Sequence, residues 1–173
     1  WCTMFGDHAS HYGINSGVPK TLIKFLVNWA KTNVFKDEKK AQDVLADILD
    51  TPVSPELLRP EKEKITQITE EKIGPYELHD FTLYWGVRFG VNPSTITRLA
   101  LHAFDGQYSL TEIVKWQRLF WQRFFATQYK RNCLPDGPKI GLVCLSPRGD
   151  WRMPSDADST VWLADLDKVP KSI

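Results

Sequence analysis

The sequence lacks the features that mark membrane proteins and secreted proteins. No apolar run approaches the roughly 20 residues that a transmembrane helix requires, although apolar residues make up 42% of the 173. The first residues, WCTMFGDHAS, contain neither the basic region nor the apolar region of a signal peptide. We therefore expect a soluble, cytoplasmic protein without a membrane partner. The sequence also opens on Trp1 instead of an initiator Met, and no helix-start or strand-start signal precedes GDHASHYG, so we expect a piece of a longer polypeptide.

Cysteine is scarce, and its spacing argues against two further kinds of structure. The three cysteines, at positions 2, 133 and 144, have no metal-ligand spacing, so a structural zinc site is not expected. Their odd number leaves a free thiol under any pairing, which favours the reduced cysteines of a cytosolic protein. His8 and His11 lie three residues apart beside Asp7, but glycines bracket this stretch, and we predict no metal site there.

Strand patterns and complete nucleotide-binding loops are also missing. Only residues 140–145 have a strand-like composition, and no GxxxxGK[ST], GxGxxG or SGGxDS sequence occurs. If this chain binds a nucleotide, it therefore supplies only part of the site.

Helical patterns dominate and predict a mainly α fold in one compact unit. The predicted helices run over 19–32, from Asp37 to Thr51, from Pro75 to Gly90, from Asn92 to Gly106, over about 110–129 after a Ser109–Glu112 capping box, and onward from Ser155. Seven tryptophans and nine phenylalanines indicate a tightly packed interior or a subunit interface. The helix 110–129 has aromatic residues on two sides, which suggests that a second subunit covers one of them.

Two stretches between these helices have a different character. Residues 53–60 allow at most one helical turn, with Ser54 in a capping position. Residues 61–72 are mostly charged or polar, which indicates an exposed connection, with a lid as the alternative use.

The stretch 128–156 contains residues that neither a core nor a helix face explains. Between Tyr129 and Arg152 lie five cations against two carboxylates, in a chain whose net charge is only +1. The cations are Lys130, Arg131, Lys139, Arg148 and Arg152. Arginine offers paired donors that match phosphate or carboxylate oxygens, and glycine lets a backbone approach a ligand closely. We interpret this stretch as a phosphate-binding loop.

Two other interpretations use the same residues. A helical nucleic-acid-binding module would combine the cations of the loop with Tyr129 and Trp151 as stacking platforms, although the near-neutral net charge argues against it. A dimerisation segment would use helix 110–129 as its interface and leave the basic loop incidental.

The segments WCTMFGDHASHYG, GVPKTLIKFLVNW, ILDTPVSPELL, IGPYELHDF, QYKRNCLPDGPK and LSPRGDWRMPSDA occur in this order along the chain. Together they resemble the carboxy-terminal part of glutamine-dependent NAD⁺ synthetase. The resemblance implies the helical carboxy-terminal portion of a Rossmann-like α/β ATP pyrophosphatase domain, without its parallel sheet core. In the family, the SGGxDS loop and the glutaminase domain lie upstream.

On this resemblance, residues 1–173 form one carboxy-terminal segment of the synthetase domain. Its parts are a substrate-site segment with two helices (1–60), a charged loop (61–74), helices (75–129), a basic substrate loop (130–156) and a terminal helix (157–173).

The resemblance implies a two-step ligation. ATP adenylates the carboxylate of deamido-NAD⁺ and releases pyrophosphate, and ammonia from glutamine then attacks the acyl-adenylate to give NAD⁺ and AMP. A cationic loop suits this reaction because charge develops on phosphates and water must be kept from the adenylate. The Mg²⁺ ligands are expected outside this chain, and the chain alone is expected to be inactive. The family's synthetase domains associate through helices, which implies a homodimer within a higher homo-oligomer.

The resemblance also assigns ATP-binding and catalytic residues. Lys20, at the start of a helix, and Ser54 match ATP contacts. Lys130 matches a lysine on deamido-NAD⁺, and Asp150 lies in a segment near the synthetase site and the ammonia route. Lys130 and Asp150 are the catalytic candidates.

A second group of residues is assigned to the deamido-NAD⁺ site. Trp1, Asp7 and His11 fall in a segment that lines it, and Tyr129 and Arg131 flank Lys130. Tyr129 replaces a usual Phe, and Met4-Phe5 stands where Tyr or Asn is common.

Overall fold

The computed structural model describes residues 10–51 and 72–170 and consists mainly of helices. Their bounds are α1 Lys20–Trp29, α2 Lys39–Asp50, α3 Tyr76–Thr82, α4 Pro93–Ala103, α5 Leu110–Ala126, α6 Gln128–Asn132 and α7 Thr160–Leu166. Short π-helical turns, Ala30–Val34 and Leu83–Arg88, extend α1 and α3. The described residues contain no strand, so the prediction of a mainly helical chain without a sheet core is confirmed for them. The Ser54 turn lies outside the described residues.

The contacts within the chain divide it into two units. One unit joins the residues before Pro19 to those from Leu78 onward, and the other runs from Pro19 to Glu77. The second unit contains α1 and α2, which pack against each other. Many of its large apolar side chains are exposed, among them Phe25 at 72% and Trp29 at 58%.

Two helix starts in the first unit follow the predicted capping residues. The Asn92 side chain accepts a hydrogen bond from the Thr95 backbone N–H at 3.1 Å, and a proline occupies the first position of α4. At α5, Ser109 and Glu112 cap each other's backbone N–H groups, which confirms the predicted capping box.

The aromatic residues of α5 form the centre of this unit. Phe120, Trp121, Phe124 and Phe125 are each at most 4% exposed. Trp162 of α7 packs against Phe125 with ring centroids 4.5 Å apart, and other chain segments cover the remaining sides. The chain itself therefore buries the side chains that suggested a subunit interface. The homodimer stays a prediction, and these four residues do not form its surface.

The last helix is shorter than predicted. α7 begins at Thr160, where the Asp158 carboxylate accepts a hydrogen bond from the Thr160 backbone N–H at 2.8 Å. The predicted start at Ser155 is wrong, because Ser155 instead accepts a hydrogen bond from the Asn132 side chain at 2.8 Å. α7 is fixed to α4 by Asp165, whose carboxylate accepts from the Ser94 backbone N–H at 2.9 Å.

Three other local predictions are corrected. Residues 140–145 do not form a strand despite their composition, and α2 begins at Lys39, after Glu38, instead of at Asp37. The longest helix ends at Ala126 instead of 129, and a separate short helix, α6, follows it. The first residues of the expected basic loop are therefore helical.

Candidate functional site

The segment around His11 lies against the basic loop. Tyr12 and Asp136 form an isolated parallel β-bridge, and the Gly13 backbone N–H donates to the Asp136 carbonyl oxygen at 2.7 Å. These residues are far apart in the sequence, and both segments were predicted to contribute to one dinucleotide site. The structure brings these two segments together.

Glycine makes this contact possible. A Cβ atom at Gly137 would lie 2.3 Å from the Gly13 carbonyl oxygen and 2.8 Å from the Ser16 Oγ. At Gly17, by contrast, a Cβ atom would make ordinary van der Waals contacts, at 3.4 Å from the Ile140 backbone nitrogen and 3.5 Å from the Pro138 carbonyl oxygen. The close approach that we assigned to a ligand is used at Gly137 by the chain's own amino-terminal segment.

Tyr129 and Lys130 lie on α6, immediately after the helix that carries the aromatic core. Tyr129 is 43% exposed and Lys130 is partly buried. Lys130 makes no ion pair with any described residue. Its ammonium group is therefore a charge that the described part of the chain does not neutralise.

Arg131 has a different environment from its neighbours. It is only 7% exposed, and its Nε donates to the Gln128 side chain at 2.9 Å. Its guanidinium group also donates to the Phe124 carbonyl oxygen and lies 4.3 Å above the Phe124 ring centre. Arg131 is thus held inside the protein, whereas Tyr129 is exposed.

The carboxylates of the basic loop are paired with its cations. Lys139 binds Asp150, and Arg148 binds Asp136. Arg148 also donates to the Leu134 carbonyl oxygen. These ion pairs connect separate parts of the loop, so two of its cations are neutralised by carboxylates of the loop itself.

Arg152 behaves differently from these paired cations. Its Nε donates to the Pro147 carbonyl oxygen at 3.1 Å, and it makes no ion pair within residues 10–51 and 72–170. Together with Lys130, it is a cation of the loop that no described carboxylate neutralises.

The loop is fastened to the aromatic core by Trp151. The Trp151 ring packs edge-on against Phe124 with ring centroids 5.3 Å apart, and its indole Nε1 is buried. Leu145 and Met153 pack against the same core. This packing fixes both sides of Asp150 in space.

The remaining predicted site residues are spread over the chain. Lys20 is the exposed first residue of α1, in the unit from Pro19 to Glu77. His11 is exposed in the segment that contacts the loop. Trp1, Asp7 and Ser54 lie outside the described residues.

Three residues that were not predicted as site residues hold this part of the chain together. Gln128, Asn132 and Ser155 form a chain of side-chain hydrogen bonds next to Lys130. The spacing of Gln128, Arg131 and Asn132 could have indicated these contacts, because residues three and four apart share one face of a helix.

Neither a metal site nor a membrane span is found in the part of the chain that the structure describes. No three His, Cys, Asp or Glu side chains within it group as metal ligands. None of its helices is both long enough and apolar enough to cross a bilayer.

Comparison with known proteins gives a consistent result. No protein-family model matches the chain. Glutamine-dependent NAD(+) synthetases of Mycobacterium tuberculosis and Mycobacterium bovis are each 42% identical to it over 191 residues, and that of Mycobacterium leprae is 41% identical. Each match covers 99% of this chain but only 28% of the relative. Over nearly its whole length, the chain is therefore similar to one part of the glutamine-dependent NAD⁺ synthetases.

Proposed function

We propose that the chain supplies part of the active site of a ligase that makes NAD⁺. The whole enzyme would adenylate deamido-NAD⁺ with ATP and amidate it with glutamine-derived ammonia, releasing AMP and pyrophosphate. The observation that carries the proposal is the contact between Gly13 and Asp136, which joins the His11 segment to the basic loop. Both segments match dinucleotide-site segments of the family, and their contact supports a single binding surface.

In this proposal Lys130 binds an anionic group of deamido-NAD⁺. Its ammonium group has no carboxylate partner among the described residues. A phosphate or carboxylate oxygen would form a charge-assisted hydrogen bond with it. The same charge would stabilise the negative charge that develops as the acyl-adenylate forms and reacts. Tyr129 and His11, which are exposed, would contact the dinucleotide. Trp1 and Asp7 are proposed contacts from the resemblance alone.

Asp150 would act at the ammonia side of the site. Lys139 holds its Oδ2, while its Oδ1 has no hydrogen-bond partner among the described residues. That oxygen is suited to accept a hydrogen bond from incoming ammonia and orient its lone pair towards the acyl group. Lys139 is then the residue that orients the carboxylate.

ATP would be bound by Lys20 and Ser54. Lys20 begins α1, where the helix N-terminus and an ammonium group both favour phosphate oxygens. Mg²⁺ would accompany the ATP, but the described residues do not fit a Mg²⁺ site. They contain no cluster of three metal-ligating side chains, and ion pairs engage Asp136 and Asp150. No step in this chain is assigned to the ion.

The chain would be inactive by itself. Its relatives are more than three times as long, since it spans only 28% of them. The exposed apolar side chains of α1 and α2 support this proposal, because a large apolar surface favours burial against another part of a protein. We propose that the remaining polypeptide covers this surface and that the enzyme is a cytoplasmic homo-oligomer. The free thiols of Cys133 and Cys144 are consistent with a reducing compartment.

Kinetics of three lysine variants of the full-length protein test the proposal. Lys130→Ala is expected to lower kcat/KM for deamido-NAD⁺ roughly ten- to hundredfold, the value of one charge-assisted hydrogen bond. Lys20→Ala is expected to raise KM for ATP and leave KM for deamido-NAD⁺ nearly unchanged. Lys40→Ala, an exposed lysine of α2, is the matched control. Wild-type kinetics in Lys130→Ala would remove Lys130 from the site.

The nucleic-acid interpretation has less support. Trp151, one of its two stacking platforms, packs against Phe124 with its indole N–H buried. Two of the cations that it needs are paired with Asp136 and Asp150. Tight nucleic-acid binding with a steep salt dependence would reverse this preference.

A further inference from the structure

We propose that Arg131 is a positioning residue, which anchors α6 so that Lys130 faces the bound anion and which does not itself contact that anion. It acts through what we call the Arg131 network, formed by the Phe124 carbonyl group and the side chains of Arg131, Gln128, Asn132 and Ser155. This inference rests on the role proposed for Lys130 and adds a residue that orients it.

The burial and contacts of Arg131 fit an anchor. At 7% exposure, the side chain has little surface left for a ligand. Its Nε donates to Gln128 Oε1 at 2.9 Å, its Nη1 to Thr127 Oγ1 at 3.3 Å and its Nη2 to the Phe124 carbonyl oxygen. The face of the guanidinium group lies over the Phe124 ring. Each of its three nitrogens therefore donates to a protein oxygen.

The contact with Phe124 joins two helices. Phe124 is in the last turn of α5, where helix carbonyl groups lack an N–H partner within the helix and carry partial negative charge. Arg131 reaches back from α6 across the break at Thr127 to this carbonyl group. The angle between α5 and α6 is thereby set by a buried, charge-assisted contact.

The network continues to the far end of the basic loop. Gln128 is fully buried and donates to Asn132 Oδ1 at 3.1 Å, and Asn132 Nδ2 donates to Ser155 Oγ at 2.8 Å. One continuous set of hydrogen bonds therefore connects the core helix, α6 and Ser155. It holds the beginning and the end of the loop at a fixed separation.

The direction of Lys130 follows from that of Arg131. Adjacent residues of a helix point about 100° apart, because one turn contains about 3.6 residues. With Arg131 turned into the protein, Lys130 is directed to another face, where it is partly exposed. Loosening Arg131 would let α6 rotate or fray, and the ammonium group of Lys130 would lose its fixed position.

A double-mutant cycle in the full-length protein distinguishes positioning from direct contact. Arg131→Lys retains the charge and loses the planar donors, and it is measured in the wild-type and the Lys130→Ala backgrounds. If Arg131 acts through Lys130, we expect a loss in kcat/KM for deamido-NAD⁺ on the order of tenfold in the first background and little loss in the second. Equal losses in both backgrounds would mean an independent contact and would overturn the proposal. Arg118→Lys, an arginine of α5 paired with Asp167, is the control.

Hydrogen exchange tests the network without relying on catalysis. Ser155→Ala removes one exposed hydroxyl group, and Arg131→Lys removes the central donors. Both variants are expected to speed amide exchange in 128–133, although Ser155 is distant in sequence. Unchanged amide exchange in 128–133 would overturn the anchoring role of Arg131, whatever the kinetics of Lys130→Ala. Faster exchange with a silent Lys130→Ala would retain the anchor and reject the proposed function of Lys130.

Discussion

The start of α5 is capped by two side chains, those of Ser109 and Glu112. Its Oγ accepts from the Glu112 backbone N–H at 3.3 Å, and the Glu112 carboxylate accepts from the Ser109 backbone N–H at 2.9 Å. Ser109→Ala should therefore destabilise the chain by about 1 kcal/mol, the usual value of such a cap. Urea unfolding of the variant measures this, with Thr111→Ala, an exposed residue of the same first turn, as the control.

The same cap predicts a dependence on pH. The hydrogen bond from the Ser109 backbone N–H lowers the pKa of Glu112 below its ordinary value of 4.5. A carboxylate with a lowered pKa in the folded state stabilises the fold fully above its ordinary pKa and loses that effect as the pH falls through the lowered value. The stability difference between wild type and Glu112→Gln should thus be constant above pH 4.5 and shrink in stronger acid. A difference that grows in acid would contradict the capping role.

The Asp165 carboxylate links α7 to α4 by accepting a hydrogen bond from the Ser94 backbone N–H. Burial raises its pKa, but the hydrogen bonds from Ser94 and Lys168 outweigh this effect and hold the pKa below the ordinary 3.8. Asp165→Asn should cost about 1–2 kcal/mol at neutral pH. The difference from wild type should diminish as the pH falls through the lowered pKa, because the wild-type carboxylate is then protonated. Thermal unfolding across this range checks it, with the exposed Asp156→Asn as the control.

At the scale of the element, the π-helical turn Leu83–Arg88 meets α5 through a glycine. A Cβ atom at Gly86 would lie 2.8 Å from the Trp121 ring, which is itself only 2% exposed. Gly86→Ala should therefore destabilise the fold by about 1–3 kcal/mol through overpacking. Gly149→Ala is the matched control, since its nearest atom lies at 3.5 Å. Equal unfolding midpoints for the two variants would show that Trp121 moves aside without cost.

The starts of α4 and α5 were predicted correctly, whereas those of α2 and α7 were not. Asn92 and Ser109 carry their capping information in their own side chains, so local sequence was sufficient. The end of α5 was not predicted, and near it the Phe124 carbonyl group accepts a hydrogen bond from Arg131 of the next helix, a contact that a helical pattern does not reveal. Residues 140–145 form no strand despite their strand-like composition, because a strand also requires a pairing partner that local composition does not reveal.

At the scale of the whole molecule, the sequence was sufficient to select the segments of the site but not to predict which of their charged side chains pair. Resemblance selected the His11 segment and the basic loop, and the structure brings these two segments into contact. The pairing of Lys139 with Asp150 was not foreseen, because a count of charges does not say which ones meet. The placement of Lys20 relative to the loop stays a prediction.

Gly137 links this long-range contact to the proposed function. Alanine there would place Cβ 2.3 Å from the Gly13 carbonyl oxygen, a backbone atom that no side-chain rotation can move. Gly137→Ala is therefore expected to separate residues 10–18 from the loop and raise amide exchange at Gly13, whose N–H binds the Asp136 carbonyl oxygen, on the order of tenfold. Gly149→Ala is the control for exchange.

If both segments form one dinucleotide surface, KM for deamido-NAD⁺ in the full-length protein should rise in Gly137→Ala along with the amide exchange at Gly13, while KM for ATP stays constant. Faster exchange with an unchanged KM would leave the contact structural and remove the His11 segment from the substrate site.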